Sequence, residues 1–173
     1  MSYGGKTGDW GRARRATGPA QVAKIKGVIR RAVRREAERL RAEIVVGITR
    51  QAPGGLAFRP LSPLTIARRR AEGFAGTKAL IRTGELRRSI ATVQAGDAVF
   101  VGIPLRSGGG EKMVRIGQVH EFGSNPIIIP RGRRNIAVQI PARPFLRPAF
   151  KAWRVGVGER IARYVAQQMG WAA

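Results

Sequence analysis

The sequence predicts an α+β fold in which a small antiparallel sheet packs against a long N-terminal helix and a C-terminal helix. Three observations lead to this prediction. Apolar residues recur every three or four positions between Pro19 and the Pro53-Gly54-Gly55 break, as on one face of an α-helix. A similar pattern runs from Phe150 to Met169. Between the two helical patterns, short β-branched runs are bounded by glycine and proline, which is typical of short strands.

The first helix is predicted to begin at Pro19, a residue that suits the first helical position. A helix of about 32 residues would be roughly 48 Å long, so we expect one end to project from a domain of this size. Its apolar stripe consists of Val22, Ile25, Ile29, Val33, Ala37, Leu40, Ile44 and Ile48. Basic residues fill the remaining circumference: Lys24, Lys26, Arg30, Arg31, Arg34, Arg35, Arg39 and Arg41.

Short elements are predicted in the middle of the chain. Residues 53–63 form a loop, and Ser62 caps a helix that begins at Pro63 and runs to Gly73. A short helical segment follows Thr83-Gly84-Glu85. Residues 89–94 and 98–103 alternate well enough to form two antiparallel strands. Residues 104–112 contain three consecutive glycines and are predicted to be a mobile loop.

The run from Val114 to Phe150 organises the rest of the chain. Its first part ends at Gly123, which is suited to stop a short helix or turn. The β-branched run Ile136–Ile140 predicts a buried strand. Prolines stiffen the end of the run, and the last of them is well placed to open the final helix: Pro130, Pro141, Pro144 and Pro148. The sequence therefore predicts a rigid arm that carries Phe145 and Leu146 between two arginines.

Composition sets further expectations. Residues 1–18 are glycine-rich and basic, which predicts a flexible basic arm ahead of a single α+β domain over residues 19–173. The chain has no cysteine, so it has no disulfide and no thiolate metal site. No apolar run has the length of a membrane span, and no apolar signal-peptide core follows the N-terminus. We therefore expect a soluble intracellular product without a membrane partner.

Enzymatic function is not expected. The single histidine, His120, lies beside Glu121, but adjacent residues point in different directions in both helix and strand. With no second histidine, a histidine-rich metal site is excluded, and a Ser-His-Asp arrangement would depend on His120 alone. A structural histidine at a helix end explains the pair better. We predict no catalytic residue, no metal and no cofactor.

Charge is the unusual property of the composition. The chain has 33 Lys and Arg against 10 Asp and Glu, a net charge of +23. Such a field attracts polyanions. Nucleic acid and an acidic protein partner are both compatible with it, as are arginine-rich codon usage and simple solubility. Candidate residues facing DNA or an acidic partner lie on the first helix and in a later turn: Arg30, Arg31, Arg34, Arg35, Arg131, Arg133 and Arg134.

Three segments carry a resemblance to a known family. They are Leu80–Ile90 (LIRTGELRRSI), Val119–Ser124 (VHEFGS) and Ile140–Phe150 (IPARPFLRPAF). In this order they resemble the tail-completion and head–tail joining proteins of tailed bacteriophages, which include virion morphogenesis proteins of Mu-like phages. The three matches span about half of the chain.

The resemblance implies a structural virion protein, made in the host cytoplasm and placed at the neck or tail end. It implies a homo-oligomeric ring, usually of about six copies, that joins the tail to the head connector around the DNA channel. The implied partners are other copies, the connector or head-closure protein, the tail terminator or tube proteins, and the DNA in the channel. A free basic nucleic-acid-binding protein is the alternative.

The stiff arm supplies the predicted interface of this virion protein. Such an arm loses little entropy on docking, and Phe145 would serve as its anchor. Truncation of Phe145 to alanine is therefore expected to leave the monomer folded and to block assembly. The predicted subunit or partner contacts are Arg143, Pro144, Phe145, Leu146, Arg147 and Phe150.

Overall fold

The structure is a computed structural model that describes residues 18–105, 110–131 and 134–171, apart from the side chains of Ile129, Arg131 and Arg134. It confirms the α+β class. The described residues group into two compact units, one with residues 18–35 and 158–171 and the other within residues 36–157. The arm predicted over residues 1–18 lies outside the described residues except for Gly18, and the single domain over 19–173 stays a prediction.

The described elements follow one another along the chain. The helices are α1 (Pro19–Arg50), α2 (Pro63–Ala71), α3 (Glu85–Arg88), α4 (Gly110–Phe122), α5 (Leu146–Trp153) and α6 (Val157–Met169), with a short 3-10 turn at Pro53–Gly55. The strands are β1 (Ala91–Ala95), β2 (Ala98–Gly102), β3 (Ile127–Arg131) and β4 (Arg134–Val138).

Helix α1 begins at Pro19 as predicted, but its buried face differs from the predicted stripe. Val28 and Ala32 are buried, whereas Val22 and Ile29 are about two-fifths exposed. Steps of four place the buried row on residues 28, 32, 36, 40, 44 and 48, and this row includes the buried Glu36. The predicted stripe contains only apolar residues and therefore left out Glu36. It therefore misplaced the buried face in the first half of the helix.

The core of the unit formed by residues 36–157 gathers the second half of α1 and the segments that follow it. Its fully buried members include Ile48, Ile90 and Phe145, with Ile44 almost as deeply buried. Leu80 and Leu86, from the first motif segment, belong to the same cluster. Burial of several large aliphatic and aromatic side chains is the main source of stability in a domain of this kind.

The strands form two separate antiparallel hairpins instead of one small sheet. Strand β1 pairs with β2 from Ala91 opposite Gly102 to Ala95 opposite Ala98, as predicted for residues 89–103. Strand β3 pairs with β4 from Ile127 opposite Val138. The buried strand predicted at Ile136–Ile140 is instead part of an exposed hairpin, with Ile136 40% exposed. Pairing with β3 satisfies its backbone and leaves its apolar side chains uncovered.

Two other predictions need correction. Part of the loop predicted at 104–112 is helical, because α4 begins at Gly110; residues 106–109 lie outside the described part. The predicted C-terminal helix is two helices, α5 and α6, separated by a turn in which Gly156 has a φ of 70°. A positive φ cannot continue a right-handed helix, so the chain stops and restarts there. Pro148 lies in the first turn of α5 and does not open it.

Local sequence signals correctly predicted the start of helix α2. The Ser62 hydroxyl accepts a hydrogen bond from the Thr65 amide at 3.2 Å, and Pro63 takes the first helical position. This is the N-cap arrangement that the sequence predicts.

Within the described residues, no helix is both long enough and apolar enough to cross a membrane.

Candidate subunit and partner interface

Two of the motif segments meet at the carboxylate of Glu121. Its two oxygens accept hydrogen bonds from the backbone amides of Phe145 at 2.8 Å, Leu146 at 2.9 Å and Arg147 at 2.9 Å. These amides open helix α5 and have no partner within the helix. A carboxylate is favoured there both as an acceptor and as a negative charge at the positive end of the helix. Glu121 therefore caps a helix that begins 25 residues later.

Arg143 ties the same region to the loop after α1. Its Nε donates to the Arg59 carbonyl at 2.7 Å, and its Nη2 donates to the Pro60 carbonyl at 3.0 Å. Its own amide donates to the His120 carbonyl at 2.7 Å. Burial, and then the charges of Arg59 and Arg69, lower the pKa of Arg143. The Arg143 guanidinium therefore donates hydrogen bonds to backbone carbonyls of its own chain.

Gly123 and Ser124 complete the junction. The Ser124 amide donates to the Ile140 carbonyl at 3.0 Å, and the Ile140 amide donates to the Ser124 hydroxyl at 2.9 Å. Gly123 has a φ of 84°, and a Cβ there would lie 3.3 Å from the Ala142 nitrogen. Glycine alone combines this conformation with such a close approach at low cost. We call residues 119–124 together with residues 140–147 the clasp.

The clasp changes the interpretation of the predicted arm. Phe145 is fully buried in the core and Arg143 is only 6% exposed, so neither offers a side chain to a partner in this fold. The expectation that Phe145→Ala leaves the monomer folded is therefore not supported. The prolines restrict the backbone of this segment. Packing of Phe145 and Arg143 inside the chain restricts it further. Pro144 and Leu146 are half-buried, whereas Arg147 and Phe150 are exposed.

Beside the clasp lies an open groove with a volume of about 750 Å³. Its exposed apolar walls include Leu56 and Phe122, which are 53% and 66% exposed, and Arg147 and Lys151 add positive charge. The Arg147 guanidinium lies over the Phe122 ring, 5.6 Å from the centroid. Pro144 and Pro148 also line the groove. An exposed apolar surface beside fixed cations is typical of a surface that binds another molecule.

The sequence prediction found only part of this groove. Arg147 and Pro144 were among the predicted contacts. Leu56, Phe122 and Lys151 were missed, although Phe122 belongs to the second motif segment. The exposed Phe150 ring packs against Trp153, with ring centroids 5.5 Å apart. The sequence feature that could have identified Phe122 is a phenylalanine directly before a helix-stopping glycine, Gly123.

The predicted basic residues divide into two sets. Arg30, Arg31, Arg34 and Arg35 are exposed on α1, and the Arg35 guanidinium lies 5.4 Å from the Tyr164 ring centroid within the same unit. In the later turn, Arg131 and Arg134 face each other at the ends of β3 and β4. Their side chains and the whole of Arg133 lie outside the described part. The structure therefore places only the first set.

His120, the neighbour of Glu121, is a largely buried residue of the clasp. Its Nδ1 is buried and has no hydrogen-bond partner. Burial, and then the positive charges of Arg143 and Arg69, lower the pKa of His120 to about 4. The side chain is therefore neutral at neutral pH. Among the described residues, no three His, Cys, Asp or Glu side chains come together in a way that could hold a metal ion.

Comparison with known proteins gives the family. Residues 11–168 match the sequence profile of the phage virion morphogenesis family, which covers nearly the whole chain and all three motif segments. No curated protein and no solved structure matches the chain. The clasp explains in physical terms why two of those segments occur together, because each supplies half of one junction. The chain therefore belongs to the phage virion morphogenesis family and has a structural role in building the phage virion.

Proposed function

We propose that this protein is a tail-completion or neck protein that joins the phage tail to the head connector. In this role it forms a ring of about six copies around the DNA channel and contacts connector or head-closure proteins on one side and tail terminator or tube proteins on the other. The observation that carries the proposal is the groove beside the clasp, together with the family match. A protein with this role needs a fixed surface for other virion components.

The charge of the groove indicates which kind of partner it binds. Arg147 and Lys151 line it, and every copy of the chain carries +23. A ring of about six copies would carry roughly +138, so the copies repel one another unless an acidic component compensates. A second copy is therefore a poor occupant for a cationic groove. We assign the groove to an acidic, partly apolar segment of a neighbouring connector or tail protein.

The clasp explains how the groove keeps its shape. Glu121 and Pro144 line the groove, and Glu121 also fixes the first turn of α5, which carries Arg147. A partner that docks on such a surface finds it already ordered, so little conformational entropy is lost on binding. The apolar walls supply affinity, and the cations supply orientation.

A size measurement tests the proposal. The purified protein is sized alone and after mixing with phage tail tubes and connectors. We expect incorporation of the wild type and loss of incorporation for Phe122→Ser, whose side chain is 66% exposed and can change without unfolding the core. The matched control is Leu64→Ser on α2, 73% exposed and outside the groove. Normal incorporation of Phe122→Ser would overturn the assignment of the groove.

The alternative function, a free nucleic-acid-binding protein, is favoured by the four exposed arginines of α1. Its test is to replace Arg30, Arg31, Arg34 and Arg35 with glutamine and to measure DNA affinity across a salt series. Each phosphate contact contributes about one unit to the slope of log affinity against log salt. A slope reduced by several units, for a protein that stays monomeric with tails and connectors, supports the alternative. An unchanged slope with lost assembly assigns this face to an acidic neighbour.

A further inference from the structure

A second concave site, lined in part by His120, lies where α2, the turn before α3 and helix α4 meet. Its volume is about 300 Å³, at the lower end of the range for ligand pockets. Three cationic side chains line it: Arg69, Arg82 and Lys112. Glu85 is the acidic residue of its lining. This pocket lies within residues 36–157 and is separate from the groove beside the clasp.

The cations of the pocket are held in place by neighbouring groups. The Arg69 Nη1 donates to the Lys78 carbonyl at 2.8 Å. The Arg82 Nη1 contacts the Glu72 carboxylate at 3.2 Å, and its guanidinium lies 4.8 Å from the Phe74 ring centroid. These contacts fix two guanidiniums whose charges repel each other, and burial, followed by the charge of Arg82, lowers the pKa of Arg69. Glu72 compensates for only part of this charge.

One residue of the lining, His120, carries an unsatisfied polar atom. The buried Nδ1 of His120 has no hydrogen-bond partner, and the side chain is neutral at neutral pH. A buried polar atom without a partner is uncommon and costs stability. The charge of Arg69 acts on this ring, so the two lining residues lie near each other. A carboxylate held by Arg69 would therefore change the surroundings of the His120 ring.

The rest of the lining determines which anion fits. Leu80, Leu86 and Met113 are buried, and Ile116 completes an aliphatic wall. A phosphate group carries only oxygens around its phosphorus and has no aliphatic stem to place against such a wall. A glutamate or aspartate side chain does, because its methylene groups suit the wall while its carboxylate reaches the cations. Arginine forks also match carboxylate geometry.

We propose that this pocket is a binding site for a carboxylate side chain presented by an acidic protein partner. Arg69 and Lys112 hold the carboxylate, and His120 lies in the same lining. The site is independent of the proposed ring, since it would bind a carboxylate on the free protein. It gives a strongly basic chain a specific contact for an acidic neighbour, in addition to general electrostatic attraction.

The only histidine of the chain provides the readout, because its ring gives one set of NMR signals. The free protein is titrated at pH 7 with N-acetyl-glutamate amide and, separately, with the uncharged N-acetyl-glutamine amide. We expect a saturable shift of the His120 ring signals with the first compound in the millimolar range and none with the second. Inorganic phosphate is a third titrant. Saturation by phosphate at lower concentration than the carboxylate would overturn the assignment to an acidic side chain.

Two matched variants locate the site. Lys112→Gln removes a cation of the lining, and we expect it to weaken the carboxylate about tenfold. Arg115→Gln lies less than one turn further along α4 and outside the lining, and we expect no change. Both exposed substitutions are checked for folding by circular dichroism. Equal binding by the glutamine compound, absence of any shift, or equal weakening by the two variants would each overturn the proposal.

Discussion

Replacing Glu121 with glutamine tests the clasp at its centre. The substitution keeps the size of the side chain and removes its charge. One carboxylate oxygen accepts hydrogen bonds from the amides of Phe145 and Leu146, and the other accepts one from the amide of Arg147. A glutamine oxygen can keep the first pair, but its NH₂ group then faces the Arg147 amide, and two donors meet. One hydrogen bond and the favourable charge at the start of α5 are lost together.

The expected cost follows from these contacts. Glu121 is only 8% exposed, so solvent replaces little of what is lost. A buried donor left unsatisfied costs about 1–3 kcal/mol, and the loss of a charge at a helix N-terminus adds about 0.3–1 kcal/mol. We therefore expect Glu121→Gln to lower the free energy of unfolding by about 2–3 kcal/mol. Glu121→Ala leaves all three amides without an acceptor and should cost about 3–5 kcal/mol.

Two measurements check this expectation. Urea unfolding followed by far-ultraviolet circular dichroism gives the change in unfolding free energy. Amide hydrogen exchange gives a local readout, because protection of the Phe145, Leu146 and Arg147 amides should fall about 30-fold in Glu121→Gln. Glu111→Gln, an exposed substitution in the first turn of α4, is the control and should cost only a few tenths of a kcal/mol. A Glu121→Gln variant within about 0.5 kcal/mol of the wild type, with unchanged protection, would refute the capping role.

Three further substitutions or conditions have defined outcomes. Phe145→Ala should destabilise the protein by about 3–5 kcal/mol in urea, since the ring is fully buried; a stable variant that fails only in assembly would restore the docking role of this side chain. Gly54→Ala should lower the free energy of unfolding by more than about 2 kcal/mol, because a Cβ would lie 2.2 Å from the Pro148 carbonyl oxygen at a φ of 57°. The control is Gly73→Ala, where φ is also positive but a Cβ would meet open space. Equal losses of unfolding free energy in the two variants would show that backbone strain, and not the close contact, causes the effect. The depressed pKa of His120, about 4 against 6.5 in the unfolded chain, means that the unfolded state binds a proton in this window and the folded state does not. Unfolding free energy should therefore be highest above pH 6.5 and fall by about 2 kcal/mol between pH 7.5 and pH 5; an equally steep fall in His120→Gln would assign the loss to other groups.

The sequence predicted the elements that depend on local signals. Pro19 marked the start of α1, and Ser62 with Pro63 marked the start of α2, because capping and proline geometry act within a few residues. The β1–β2 hairpin was found for the same reason. The exposure of β4 was not predicted, since a β-branched run records the preference for a strand and not which neighbour covers it.

The candidate site shows the same division. The motif segments were found, and Arg147 does line the groove. The burial of Phe145 was not predicted, because prolines on both sides made the segment resemble a free arm. Core residues distant in sequence bury its ring, and the carboxylate of Glu121, 24 residues earlier, holds its backbone amide. Leu56 was missed because only the folded chain brings the loop after α1 beside α5. Contacts of this separation leave no periodic trace in the sequence.

The Arg143 contacts determine when this protein can finish folding. Its guanidinium reaches carbonyls 84 and 83 residues earlier in the chain, and Phe145 enters a core that already needs α1. Contacts between distant residues require closure of a long loop, which slows their formation. During synthesis, the core around Ile44 and Ile48 must wait until residues 143–149 have left the ribosome. The groove beside the clasp therefore forms only after its last lining residue, Ala152, has been synthesised, so a shorter nascent chain has no formed groove to offer to a growing virion.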